Sequence, residues 1–403
     1  MKWKVATSMA SRLLVMLFTV AVVLMVTNKI GAEGQGIAAL VQLGILLIVS
    51  ITNFIGGGAV VYLLPRIGTR PLVLPAYVWS TAIAGIFYGF FQLVPIVPAE
   101  FVLDVVILGW LQAMFTFHLQ ILVGQERIHR FNVIVTLQAF WLAAMLAYLI
   151  FVAEAVEIRS YINALYVSFG MTYLIAMISS WKHMMVPSEI TPRAAFDELW
   201  KFGRYAQLGN ILQLLTYRSN IWIVEKLIGL SASGIYSLSL YASESIWNVG
   251  KSLALVQGAR IANTNDDAYN RQLTSKFMKL SIAGSVVLIG IMLALPDPFY
   301  QWLFGEEMAG LYWVLLWVSP GILANACSMI YSHYFSGVGL HRNNTIGSGA
   351  GLAALLIVVY PLITNYGVEG GAMAASVAYI VQLITMEILF RRGSRDESLG
   401  TNR

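Results

Sequence analysis

Residues 36–62 read GIAALVQLGILLIVSITNFIGGGAVVY, 27 successive positions without a charged side chain. An α-helix rises about 1.5 Å per residue, so about 20 apolar residues carry it across a hydrocarbon core roughly 30 Å thick. The stretch is therefore a membrane span. Working outward, apolar runs of similar length recur near residues 9–28, 72–95, 101–122, 131–153 and 161–181, then near 204–227, 231–258, 275–295, 311–335, 346–366 and 370–390. The predicted fold class is an all-α membrane protein of about 12 transmembrane helices.

Composition says the same. Of 403 residues, 58% are hydrophobic and 11% charged, against roughly a quarter charged in a soluble domain. A soluble fold could not keep so little charge on its surface. The net charge of +5 does not point to nucleic acid, because the basic residues lie in short clusters between apolar runs. Cys327 is the single cysteine, which excludes an internal disulfide framework or a multi-cysteine metal site. Lys2 and Lys4 before the run Leu13 to Val26 resemble a signal peptide, but no small-residue cleavage site follows and further spans do, so this run reads as the first helix.

Lysine and arginine are retained on the cytoplasmic side of short loops. With the N-terminus inside, 20 of the 25 basic residues fall on that side; Lys29, Arg159 and Lys226 fall outside, while Arg218 and Lys251 lie within spans. This asymmetry predicts a multi-pass membrane protein with both termini cytoplasmic. The predicted parts are a six-helix lobe over 1–181, a cytoplasmic linker over 182–203, a second six-helix lobe over 204–390 and a cytoplasmic tail over 391–403. In the linker, Pro187, Pro192 and the amphipathic stretch Phe196, Leu199 and Trp200 predict a helix lying on the membrane surface. Pro75, Pro320 and Pro361 predict kinks within spans, Gly56, Gly57 and Gly58 a soft or closely packed point in the second, and Trp3, Trp181, Trp302 and Trp313 interface anchors.

The two halves echo each other. Ile30-Gly31, Gly36-Ile37 and Leu40 repeat as Ile228-Gly229, Gly234-Ile235 and Leu238 with identical spacing. Both copies sit at the turn joining the first two helices of a half, where glycine permits a tight turn. An even number of spans per half makes the repeats parallel, a geometry suited to two lobes rocking around a central cavity.

Three stretches carry a family likeness: residues 28–36 (NKIGAEGQG); Arg218-Ser219-Asn220 through Gly234-Ile235-Tyr236; and Gly337-Val338-Gly339-Leu340-His341 with Tyr366-Gly367-Val368-Glu369-Gly370-Gly371-Ala372. On these the chain resembles the polysaccharide transport branch of the multidrug/oligosaccharidyl-lipid/polysaccharide (MOP) flippase superfamily, the group of O-antigen (Wzx-type) flippases. The resemblance implies two six-helix lobes of MATE-like fold and a role in lipopolysaccharide or other polysaccharide biosynthesis. Its cargo would be an undecaprenyl-pyrophosphate-linked saccharide, with a polysaccharide polymerase or other assembly proteins as partners. Where the family often carries an acidic residue in the seventh helix, this chain has Ser219 and Asn220, which removes an obvious cation site.

Charge at membrane depth costs about 2.5–3.5 kcal/mol on insertion scales, so it faces a cavity or a partner. In the seventh helix Gln207, Asn210, Gln213, Tyr217 and Asn220 recur at steps of three and four, with Arg218 at the edge of that stripe. In the eighth, Tyr241, Glu244, Asn248 and Lys251 do the same. The resemblance implies a cationic lumen, so Arg218 and Lys251 are candidates to bind pyrophosphate or acidic sugars, with Glu244, Asn248, Gln213 and Asn210 lining the same cavity and Arg12 reaching it from the first helix. Two bland readings stand beside these: Glu244 neutralises one of the cations as a bridge between helices, and Arg12 is a topology anchor. Asp104 and Glu387 lie near helix ends, where solvated positions are common. His118 is a potential proton relay or a hydrogen-bonded core histidine.

Three functions compete. A flippase would hold a polar head in the cavity and leave the lipid tail in the bilayer. A multidrug and toxic compound extrusion (MATE) type cation antiporter needs cavity carboxylates, and here Glu244 alone is well placed. A multi-span enzyme would present catalytic groups on a large loop, whereas the outer loops are short and show no paired carboxylates, metal-ligand cluster or phosphate loop. The sequence therefore predicts a lipid-linked saccharide flippase, not an enzyme, with neither cofactor nor metal.

Overall fold

The protein is described by a computed structural model covering the backbone of residues 2–184, 190–264 and 266–400, and the side chains of 10–181, 190–204, 207–264 and 266–392. Lys2, Trp3, Lys4 and Pro187, singled out above, have side chains outside this set. Among the described residues the chain is helical, without a strand. Two compact units form, Met1–Gln207 and Leu208–Arg403.

The first unit holds α1 (Lys2–Met25), a π-helical turn (Val26–Ile30), α2 (Gly31–Gly56), α3 (Gly58–Ile67), α4 (Arg70–Leu93), α5 (Val102–Gly124), α6 (Ile128–Phe151) and α7 (Ile158–Met184). α8 (Pro192–Leu227) carries the chain into the second unit, which adds α9 (Leu230–Ile261), α10 (Asp267–Ala294), α11 (Asp297–Phe304), α12 (Leu311–Gly337) and α13 (His341–Gly400). All 12 predicted spans are present as helix. α2 and α3 together make the second span, and α13 holds the last two, merged across Gly367. The stretch 391–400, read as a tail, continues α13.

Eight helical stretches among the described residues are long and apolar enough to cross a membrane, two of them continuous through a break, Ala10–Ile67 and His341–Arg392. Large apolar side chains are exposed along them, including Leu93, Ile357 and Leu17. Water would not tolerate so much exposed apolar surface in one molecule, and lipid does. The chain is a multi-pass membrane protein. α8 and α9, at 36 and 32 residues, are long enough to span yet are not among the eight; these are the two helices that bear the polar stripes.

Proline does not interrupt the helical assignment. α4 and α12 run unbroken through Pro75 and Pro320, and α13 is helical at Pro361. The breaks fall at glycine: Gly57, with φ −93° and ψ −140°, ends α2, and Gly367, with φ 62° and ψ −138°, interrupts α13. Loss of one N–H is tolerated when neighbouring helices hold the segment, whereas a positive φ redirects the chain outright.

The internal echo is written in the backbone. Gly31 has φ 89° and ψ −173°; Gly229 has φ 128° and ψ 177°. Both lie in a region of backbone space essentially reserved for glycine, and each directs the chain from the first helix of its half into the second.

The amphipathic stretch in the predicted linker is corrected. Its apolar residues face protein rather than the membrane surface: Ala195 and Leu199 are fully buried with Ile55, Leu63, Leu72, Phe117 and Ile121 from α2 to α5, and Phe196 packs beside them. Trp200 stacks on Phe54, ring centroids 5.4 Å apart. Thr191 Oγ1 accepts from Ala194 N at 3.3 Å and Pro192 opens the helix, a capping residue followed by the imino acid suited to the first helical position. From there α8 is one uninterrupted helix, and the boundary between the compact units falls inside it, after Gln207.

Candidate functional site

The polar residues of α8 divide by position. Gln207 is buried in the first unit, its Nε2 donating to Ser50 O at 3.0 Å. Asn210 is exposed. Beyond it the side chains turn into the second unit: Gln213 Nε2 donates to the Tyr217 hydroxyl at 2.6 Å, which donates to Asn325 Oδ1 on α12 at 2.8 Å. Fully buried Asn220 donates to the Tyr236 hydroxyl on α9 and to Gly371 O on α13, both at 3.0 Å. The predicted stripe is thus one helix face that serves three surroundings, and its upper part is a fastening of α8 to α9, α12 and α13.

Aromatic rings complete that fastening. Tyr217, Trp247 and Tyr379 lie with centroids 5.0–5.5 Å apart, and Trp247 Nε1 donates to Ile322 O at 3.1 Å. The partnered tips of Tyr217 and Trp247 and the packing of ring faces explain how these rings are buried, although the buried Tyr379 hydroxyl finds no partner among the described residues. Trp247, Tyr379 and Asn325 were not apparent from the sequence as a group, because they come from three helices far apart in the chain.

The charges then sort themselves. Arg218 donates to Glu244 Oε1, with the arginine side chain 15% exposed and the carboxylate 33%. The bridging role considered for Glu244 is therefore the observed one, towards Arg218 and not towards Lys251. Seven residues along α9, roughly 10 Å away, Lys251 is exposed and forms no ion pair among the described residues. Asn248 and Leu255 are exposed on its face, while Trp247, Gly250, Ala254 and Gln257 on the opposite face are buried.

Val256, Ala259, Arg260 and Asn263, with Asp266 and Tyr269 at the start of α10, line an open cavity of about 760 Å³. Arg260 lies on the last turn of α9, which remains helical to Ile261, about half a turn around the helix from Lys251. Arg12 lies in the first unit, exposed on α1, next to Ser11, whose Oγ donates to Asn132 O at 3.0 Å and so fastens α1 to α6.

Both carboxylates near helix ends are paired, and Glu387 keeps a side chain that is 29% exposed. Asp104 is buried, accepting from Arg159 Nη1 and, at 2.8 Å, from the Tyr166 hydroxyl. Glu387 accepts from the Tyr331 hydroxyl and from Arg391 Nε. Lys226 likewise pairs with Glu225 at 3.1 Å.

The sequence matches no family model and no curated protein. Its fold does match solved structures. The lipid II flippase MurJ in an inward closed conformation superposes with a TM-score of 0.77 at 12% identity, over 97% of this chain and 88% of that one. An inward-facing multidrug resistance MATE family transporter of the MOP superfamily gives 0.74 at 12% identity, over 96% of each. A variant of the Vibrio cholerae MATE transporter VcmN gives 0.66 at 15% identity, over 98% of this chain and 95% of that one. The chain has the fold that MurJ and the MATE transporters share.

Proposed function

We propose that the chain is a flippase that carries an undecaprenyl-pyrophosphate-linked saccharide across a bacterial cytoplasmic membrane by alternating access, in the service of O-antigen or related polysaccharide synthesis. The observation that carries this reading is the charge arrangement on α8 and α9. Glu244 is occupied by Arg218, so the ammonium of Lys251, on the exposed face of α9 with Asn248, is left without an ion pair among the described residues. Such a face attracts phosphate oxygens and offers hydrogen bonds to sugar hydroxyls. Arg218 then serves chiefly to set the electrostatics of α8 and α9, and Arg12, Gln213 and Asn210 contribute less directly than their sequence spacing implied. The MurJ likeness supports a lipid-linked saccharide as cargo, and the distribution of basic residues supports termini on the cytoplasmic side, next to a polymerase or other assembly partners.

Reconstitution tests it. Liposomes carrying an undecaprenyl-pyrophosphate-linked oligosaccharide are assayed for exposure of the sugar to an impermeant reagent. The intact chain should equilibrate the label between leaflets. Lys251→Ala should slow this by about tenfold or more, since a hydrogen bond to a charged group contributes about 1.5–3 kcal/mol; an unchanged rate discards the role of Lys251.

The MATE likeness over 96% of each chain favours a second reading, a cation antiporter. It requires Glu244 to leave Arg218 and bind the transported ion. Drug resistance conferred in a sensitised host and abolished by Glu244→Gln would establish it.

A further inference from the structure

The first unit contains a hydrogen-bonded chain from three helices. His118 on α5 is fully buried. Its Nδ1 lies 2.8 Å from Ser180 Oγ on α7, and its Nε2 lies 2.8 Å from the Tyr77 hydroxyl on α4, which is 3.0 Å from the Tyr173 hydroxyl on α7. Ser180 Oγ also donates to Met177 O at 3.0 Å.

Counting hydrogens gives each bond a direction. With the single Ser180 proton on Met177 O, the Ser180 oxygen is left to accept, and His118 donates Nδ1–H to it. Neutral His118 therefore presents a bare Nε2, and only the Tyr77 proton can fill that bond. Having given its proton to His118, Tyr77 can only accept from Tyr173. The chain runs in one sense, Tyr173 to Tyr77 to His118, from a half-buried hydroxyl to a buried imidazole.

We infer that His118 is a proton-binding site loaded along this chain, and that the proton is the coupling ion of the transporter. The second clause rests on the proposed function; the first stands on the geometry. Loading balances atom for atom. A proton arrives on the Tyr173 oxygen, the original Tyr173 proton passes to the Tyr77 oxygen, and the original Tyr77 proton passes to His118 Nε2. His118 becomes imidazolium, both hydroxyl bonds reverse direction, and no side chain needs to rotate. Reversal is a two-state change, the kind of element through which protonation biases a helix bundle.

The surroundings leave this site to itself. The titratable neighbours are Tyr77 from α4 and Tyr173 from α7, with the rings of Phe117 and Trp110 on α5 around them. α2 and α3 contribute Ile55, Val60 and Leu63, and the start of α8 contributes Leu199, beside Phe117; α6 contributes Ile134 beside Leu119. Among the described residues no carboxylate or cation pairs with any member of the chain. Charge on His118 would thus be answered by moving the surrounding helices or by releasing the proton, which is what coupling requires.

Two measurements on the intact chain test this. In lipid nanodiscs, nitrogen NMR of labelled histidine, with the His118 signal assigned by its loss in His118→Gln, should show the Nδ1–H tautomer near neutral pH and conversion to imidazolium on acidification. The opposite tautomer, or a ring that never protonates before the protein unfolds, overturns the inference. In liposomes, an imposed pH gradient should change turnover of the lipid-linked saccharide several-fold, and Tyr77→Phe, which removes one oxygen and keeps the ring, should abolish that response. Turnover indifferent to the gradient refutes proton coupling and leaves the flippase reading standing. If the intact chain moves no saccharide under any condition, the flippase reading falls and the NMR result alone decides the proton site.

Discussion

Arg218 on α8 is bound to Glu244 on α9, so two charges set within the second unit cancel, and Lys251, about two turns further along α9, is left on the open face. Pairing changes what each residue is for. A cation held by a carboxylate inside a helix bundle is part of the scaffold, whereas one exposed beside Asn248 is available to cargo.

The pair should behave as a unit under mutation. Glu244→Gln strands a guanidinium that is 15% exposed. Breaking a buried pair costs about 3–5 kcal/mol, and the partial exposure of Glu244 reduces this to about 1–3 kcal/mol. Thermal unfolding in detergent should show the loss, and adding Arg218→Met should recover most of it. A double variant no better than the single one would mean that the bridge has no such role.

Asn220 should matter more than its neutral side chain implies. It donates to both the Tyr236 hydroxyl and Gly371 O. Asn220→Ala leaves a buried carbonyl without that donor, at a cost of about 1–3 kcal/mol. Ser219→Ala, one position away, is expected to change the melting temperature little.

The two turn glycines should be equally intolerant. With φ of 89° and 128°, Gly31→Ala and Gly229→Ala should each destabilise by about 1–2 kcal/mol. Gly85→Ala, where a methyl group meets open space within α4, should be neutral or slightly stabilising because helical alanine is favoured over glycine. Measured melting temperatures that failed to separate Gly31 from Gly85 would refute the turn argument.

The start of α8 should prove structural. Leu199→Ala removes a side chain buried against α2 to α5, an expected loss of about 2–5 kcal/mol. Arg193→Ala on the exposed side should stay within about 0.5 kcal/mol. If the stretch instead only rested on lipid, Leu199→Ala would reduce membrane attachment of this segment and leave the unfolding midpoint of the first unit unchanged.

Much of the architecture was legible before any coordinates. Lipid imposes one requirement on every residue that faces it, so the spans announce themselves as apolar runs, and the glycines at 31 and 229 announce the repeat because no other residue adopts their backbone freely. Their spacing located the second helix of each half. Gly57 was legible as a soft point because it stands between Gly56 and Gly58, whereas the break at Gly367 was not read from the sequence.

Pairing was not legible. The sequence left Arg218 and Lys251 both open as partners of Glu244, and only the packing of α8 against α9 chose Arg218. Asp104 read as solvated because it is near a helix end, and it is buried because Arg159 and Tyr166, on α7, reach it from more than 50 positions away. The same holds for His118, an isolated histidine in the sequence and the centre of a directed chain in the fold. By itself the sequence determined where the chain meets lipid, since that preference is a property of each residue taken alone. Which polar groups satisfy one another depends on distances between helices remote in the chain, and the tertiary structure decided it.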